Sequence, residues 1–125
     1  MQISQGLEEM PLHDAIVSSI SYHLRDKTLV IKLQLADWED ELGESGTLTF
    51  FQVENLKTNP LIEDIDWENC SADIWNVDHR SDLDKDQFEG VGALIQLDYS
   101  INGKHRSTIL ELEFLASHFL WVAEN

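Results

Sequence analysis

Three carboxylates at alternate positions, Asp82, Asp84 and Asp86, have the residue types and spacing that open a calcium-binding loop. Such a loop also needs Gly at its sixth position and a bidentate Glu at its twelfth, where this chain has Gln87 and Ala93. The run therefore reads as a solvated acidic loop. His13, His23, His79, His105 and His118 are scattered, without the HxxxH or HxH spacing that puts two metal ligands on one face. His13-Asp14 is the one suggestive pair, and a structural role, with Asp14 capping backbone N–H groups where a strand begins, is expected of it. An acid/base pair of glycosidase type needs two acids whose environments push their pKa values apart. Among so many carboxylates, pairing alone carries no such information. GxSxG, P-loop and GxGxxG motifs are absent from the sequence. We expect no catalytic residue, metal or cofactor, and a protein that is not an enzyme.

Trp38 differs in kind, because it sits inside Asp37-Trp38-Glu39-Asp40-Glu41, with Glu44 close behind. An aromatic bracketed by acids suits a surface where Trp anchors and carboxylates select a basic partner. The alternative places Trp38 over one end of the core. Trp75 and Trp121 lie in strand-like apolar segments and are expected in the core, while Trp67 is left open. The expected partner-binding residues are Asp37, Trp38, Glu39, Asp40, Glu41 and Glu44, followed by Asp82, Asp84 and Asp86.

The wider composition points the same way. Twenty-four Asp and Glu face eight Lys and Arg in 125 residues, a formal charge of −16. A third acidic group, Glu63, Asp64, Asp66 and Glu68, joins the two already named. So large a charge repels itself and steers basic partners toward the surface. It argues against direct binding to nucleic acid or to an anionic membrane, both of which want a basic face. With 42% apolar residues the chain can still build a core, so it is not of the disordered acidic type. Cys70 is the only cysteine, which excludes an internal disulfide and suggests a small buried hydrophobe. Met1–Pro11 lacks the pattern of a signal peptide and no apolar stretch approaches a membrane span, so a cytoplasmic protein is expected.

The elements that carry these residues are strands. Leu29, Ile31, Leu33 and Leu35 alternate with Val30, Lys32, Gln34 and Ala36, the period of a sheet with one covered face. Ile16, Ile20, Tyr22 and Leu24 alternate before them, with Ser18 as an exception. Reversal at Asp26–Lys27, or over Arg25–Thr28, pairs Leu24 with Leu29, Tyr22 with Ile31 and Ile20 with Leu33. Asn102–Gly103 is the preferred pair for a type I′ turn. It sets Tyr99 opposite Arg106, Leu97 opposite Thr108, Ile95 opposite Leu110, Ala93 opposite Leu112 and Val91 opposite Phe114. Gly46–Val53 and Ser71–His79 read as further strands, and Phe119–Ala123 as a last short one after a turn at Ser117–His118. Asn55–Ile65 reads as a loop or short helical turn, and Arg80–Gly90 as an acidic loop. The fold class is mainly β: a single-domain antiparallel β-sandwich or strongly curved sheet over residues 1–125, with little helix.

Leu12-His13-Asp14-Ala15 leads into the first pair of strands, and an acidic loop separates them from Gly46-Thr47-Leu48-Thr49-Phe50-Phe51-Gln52-Val53-Glu54-Asn55-Leu56. Leu110-Glu111-Leu112-Glu113-Phe114 is followed by a turn and a short apolar end. This order resembles the small β-rich bacterial immunity proteins of polymorphic toxin and contact-dependent inhibition systems, which often open on such an L-H-D-[AS] motif. Leu12, His13 and Asp14 match that opening. The resemblance implies a β-rich immunity protein that binds and neutralises a cognate basic toxin domain, with a nuclease as the expected partner, and it supplies no catalytic or metal residue. The alternative is a non-enzymatic binding or assembly module, or a homo-oligomeric β protein without a toxin partner.

Overall fold

The computed structural model describes residues 2–36 and 43–124. Eight strands run in chain order: β1 (Ile16–His23), β2 (Thr28–Gln34), β3 (Ser45–Phe51), β4 (Glu54–Asn59), β5 (Cys70–His79), β6 (Glu89–Ile101), β7 (Lys104–Ala116) and β8 (His118–Ala123). They form one antiparallel sheet in the order β4-β7-β6-β5-β1-β2-β3-β8, not closed into a barrel. Among the described residues helix is limited to α1 (Ile3–Gly6) and four single 3₁₀ turns. The mainly β expectation is met, and of its two forms the chain takes the curved sheet.

The curvature can be read from one contact. Phe50 of β3 and Phe114 of β7 are five ladders apart in the strand order, which on a flat sheet would separate them by about 24 Å. Their rings meet edge to face at 4.9 Å. The sheet therefore folds over so that β4-β7-β6-β5 faces β1-β2-β3-β8. One long ribbon makes the corner: residues of β3 and then β4 pair in sequence with β8 and then β7, from Gly46↔Ala123 through Phe51↔His118 and Glu54↔Leu115 to Asn59↔Glu111. Gln52, at φ 53°, bends one side. Ser117 bends the other, where its N–H donates to the Phe51 carbonyl at 3.0 Å. On the opposite side the described halves are joined by the short β1–β5 ladder, Ile16↔Asp73 and Val17↔Ala72, which Asp14 and Ala15 extend through backbone hydrogen bonds with Ile74.

The space between the halves is filled by apolar side chains alone. Leu29, Ile31, Leu48, Phe50, Ile74, Ile95, Leu110 and Phe119 are almost completely buried, and no polar or charged described residue joins them. Ile3 and Leu7, from the N-terminal turns, close one end. The Ile3 N–H donates to Glu89 Oε2 at 2.8 Å, which anchors that segment to the start of β6.

The second hairpin follows the expected register pair by pair, from Tyr99↔Arg106 to Val91↔Phe114. Asn102 and Gly103 take φ of 52° and 77°, the left-handed values that a type I′ turn demands. The first hairpin corrects the expectation by two residues: Tyr22 faces Leu29, Ile20 faces Ile31, and Val17 faces Leu33. A four-residue turn, Leu24–Lys27, replaces the expected one, and Leu24 is 76% exposed. The shift is even, so the same β2 residues stay inside. Ser18 is the extra residue of a bulge between Val17 and Ser19, which puts Val17 inward and leaves Ile16 52% exposed. β4 is a second correction, because Asn55–Ile65 was expected as loop or turn. Glu54–Asn59 is an edge strand on β7, and only Ile62–Asp64 beyond it turns as a 3₁₀ helix. β8 forms as expected; Gly46 leaves the space beside the Val122 carbonyl that a Cβ would fill, and the Trp121 ring lies there.

Candidate protein-binding surface

Asp37, Trp38, Glu39, Asp40 and Glu41 lie outside the described residues. Glu44 is described and exposed, and its Oε1 accepts the indole N–H of Trp121 at 3.0 Å. Trp121 itself is half-buried against the core, as expected of it. Glu44 thus fastens β8 to the N-terminal end of β3.

Asp82, Asp84 and Asp86 share a loop but not a role. Arg80 grips Asp82 with two hydrogen bonds of 2.8 and 2.9 Å and reaches Glu113 on β7 at 3.0 Å. That bond to the guanidinium holds the Asp82 carboxyl below its usual range. Asp84 accepts the Gly90 N–H at 2.7 Å and contacts His79 Nε2 at 2.9 Å. Burial pushes the Asp84 carboxyl up, and the bonds from Gly90 and His79 more than offset it, so its pKa is lowered. Asp86, at φ 56°, sits at the tip of the short Lys85–Phe88 turn and is exposed. Two of the three carboxylates therefore build the loop, and Asp86 presents its charge outward. No group of three or more potential metal ligands occurs among the described residues.

The acids Glu63, Asp64, Asp66 and Glu68 sit on two 3₁₀ turns, Ile62–Asp64 and Trp67–Asn69. These turns cover the gap where β1 diverges from β5, with Ile62 buried and Ile65 and Trp67 packed against the core. A cleft of about 420 Å³ opens beside them, lined by Pro60, Asp64, Asp66, Cys70 and Tyr99 among others. Burial, and then Asp66, push the Cys70 thiol pKa up, so the cysteine stays a half-buried thiol rather than a nucleophile.

Trp75 is where the structure departs most from the expectation of a core residue. It is the extra residue of a second bulge, between Ile74↔Ile95 and Asn76↔Leu94, and it is 44% exposed. A bulge re-aims a side chain without breaking the ladder on either side. The Trp75 indole N–H donates to Gln96 Oε1 at 3.0 Å, and its carbonyl meets His13 Nδ1 at 2.6 Å. The expected cap by the Asp14 side chain is not among the described hydrogen bonds; instead the Asp14 backbone N–H donates to the Ile74 carbonyl at 2.8 Å, and His13 braces the bulge.

A scan against protein-family models finds no match, and neither a search of curated proteins nor one of solved structures finds any. What the geometry defines is a class: a mainly β protein built on one folded-over antiparallel sheet. No helix among the described residues is long and apolar enough to cross a membrane.

Proposed function

We propose that this chain is an immunity-type binding protein that occupies and neutralises a basic toxin domain, with a nuclease as the partner class. The observation that carries the reading is the excess of 24 acids over eight cations on a folded-over sheet whose own cations are partly consumed. Lys27 is paired with Glu54 at 2.8 Å, and Arg80 with Asp82 and Glu113. A nuclease presents a basic cleft to phosphate, and a preorganised carboxylate surface competes for it. Electrostatic steering raises such association toward about 10⁸–10⁹ M⁻¹s⁻¹ at low salt, which suits a protein that must act before its target does. The test is protection: cells expressing a candidate basic toxin domain survive when this chain is co-expressed. Equal killing with and without it, across the toxin candidates encoded nearby, removes the reading.

A second reading, a homo-oligomeric assembly module, is favoured by one feature. β8 lies at an edge of the sheet with Leu120 and Val122 each at least half exposed, and an apolar edge strand invites pairing. Sedimentation equilibrium separates the two readings, since a stable homodimer at micromolar concentration supports the second.

A further inference from the structure

We propose that Trp75, with the carboxylates of Asp73, Asp14 and Asp98 around it, is the docking point for an arginine side chain of a basic partner protein. The inference deepens the binding reading above and rests on it. Asp73 precedes Trp75 on the outer face of β5 and pairs across the sheet with Gln96 and with Ile16. Gln96 links the two sides, since it accepts the Trp75 indole N–H and turns its amide toward Asp98. Trp75 and Ile16 together leave a half-exposed apolar surface on the seam between the two halves of the sheet.

Charge decides what this surface fits. Among the described residues none of the three acids has a Lys or Arg partner: the ionic neighbour of Asp14 is His13, at 3.6 Å, and that of Asp98 is His105, at 3.4 Å. Burial first, and then repulsion from Asp98 and Asp14, push the Asp73 carboxyl up, while the Ser107 hydroxyl and the Gln96 amide hold Asp98 in place. A guanidinium can lie flat on an indole while its N–H groups reach carboxylates at the ring edge, whereas an ammonium supplies only a point charge. A second copy of the chain is the weaker occupant, because each copy brings a charge of −16. The indole is also pinned by Gln96 before binding, so little freedom is lost when a partner arrives.

The experiment uses the ¹⁵N-labelled full chain at physiological salt, titrated with octa-arginine and, separately, octa-lysine. The indole N–H resonance of Trp75 is assigned by its loss in Trp75→Phe. The proposal expects that resonance and the Asp73 and Asp98 amides to shift together. It also expects octa-arginine to bind about tenfold tighter than octa-lysine, and Trp75→Ala to lose about tenfold in affinity for octa-arginine. Trp75→Phe keeps an aromatic face and should lose less, which guards against a folding defect in the alanine variant. Equal binding of the two peptides, with shifts spread over all the acidic loops, overturns the proposal. So does a Trp75 resonance that moves with protein concentration alone, because the occupant is then a second copy. If octa-arginine binds at Trp75 while no toxin is neutralised, the docking point stands and the toxin reading falls.

Discussion

Phe50 and Phe114 touch edge to face at 4.9 Å from strands that stand five ladders apart. That contact records the main event of this fold, the folding of one sheet onto itself with no second sheet supplied. Its energetic consequence is direct, because Phe50 also lies against Phe119 at 6.0 Å and is fully buried. Phe50→Ala is expected to cost about 3–5 kcal/mol. Phe51→Ala, on the other face and stacked on His118 at 4.6 Å, should cost clearly less. Urea unfolding of both variants checks this, and equal losses would mean that the two faces of β3 are equivalent.

The acidic loop should separate into structural and free carboxylates. Asp84→Ala removes the acceptor for the Gly90 N–H and the His79 contact, and should lower stability by about 1 kcal/mol. Asp86→Asn, which removes the charge but no described contact and suits the left-handed φ of 56° at this position, should leave the melting temperature unchanged while slowing association with a basic partner. A partner whose association rate ignores Asp86→Asn does not approach this loop.

Stability should fall on acidification, and the sign follows from the directions of the shifts. Asp82, Asp84 and Asp98 are lowered in the folded state, Asp98 chiefly by the Ser107 hydroxyl. Their contribution is present above the unfolded carboxylate pKa of about 3.9 and is lost as pH drops through the folded values. Asp73 has the opposite sign: its raised pKa favours the folded state at low pH and works against it as pH rises. Asp73→Asn should therefore raise the melting temperature at pH 7, with the gain vanishing below about pH 4. Thermal melts of the two proteins across that range would expose a wrong sign.

Glu89 holds the N-terminal segment by accepting the backbone N–H groups of Ile3 and Ser4. Glu89→Ala leaves those donors without the carboxylate, at a cost of about 1–2 kcal/mol. The loss should be local first. Amide exchange at residues 3–7 is expected to quicken well before that of β6 and β7, and uniform acceleration would assign Glu89 to the global fold instead.

How much of this was legible depended on whether the signal was local. The β6–β7 register was readable to the residue because Asn102–Gly103 specifies its turn and the alternation on either side is unbroken. The β1–β2 register slipped by two because Leu24–Lys27 has no comparable turn chemistry, and the bulge at Ser18 hides a change of face inside an apolar-polar pattern. β4 went unread since Glu54–Asn59 is polar, and its ladder partner β7 lies more than 50 residues away in the chain. Of the candidate surface, the acids of the 82–86 loop were visible as a charge run. That Arg80, His79 and Gly90 employ two of them was not visible.

The sequence by itself determined the strand periodicity, one tight turn, the apolar faces of β2, β6 and β7 and the large negative charge. Each of these is set by residue type and by neighbours a few positions away. Only the tertiary structure decided that the sheet folds over at Gln52 and Ser117, and that Trp75 leaves the core for the surface. A bulge is an unpaired residue in a ladder, so it exists only once the partner strand is in place. Ile74-Trp75-Asn76-Val77 is compatible with either face until Ile95 and Leu94 pair on both sides of Trp75 and turn the indole outward.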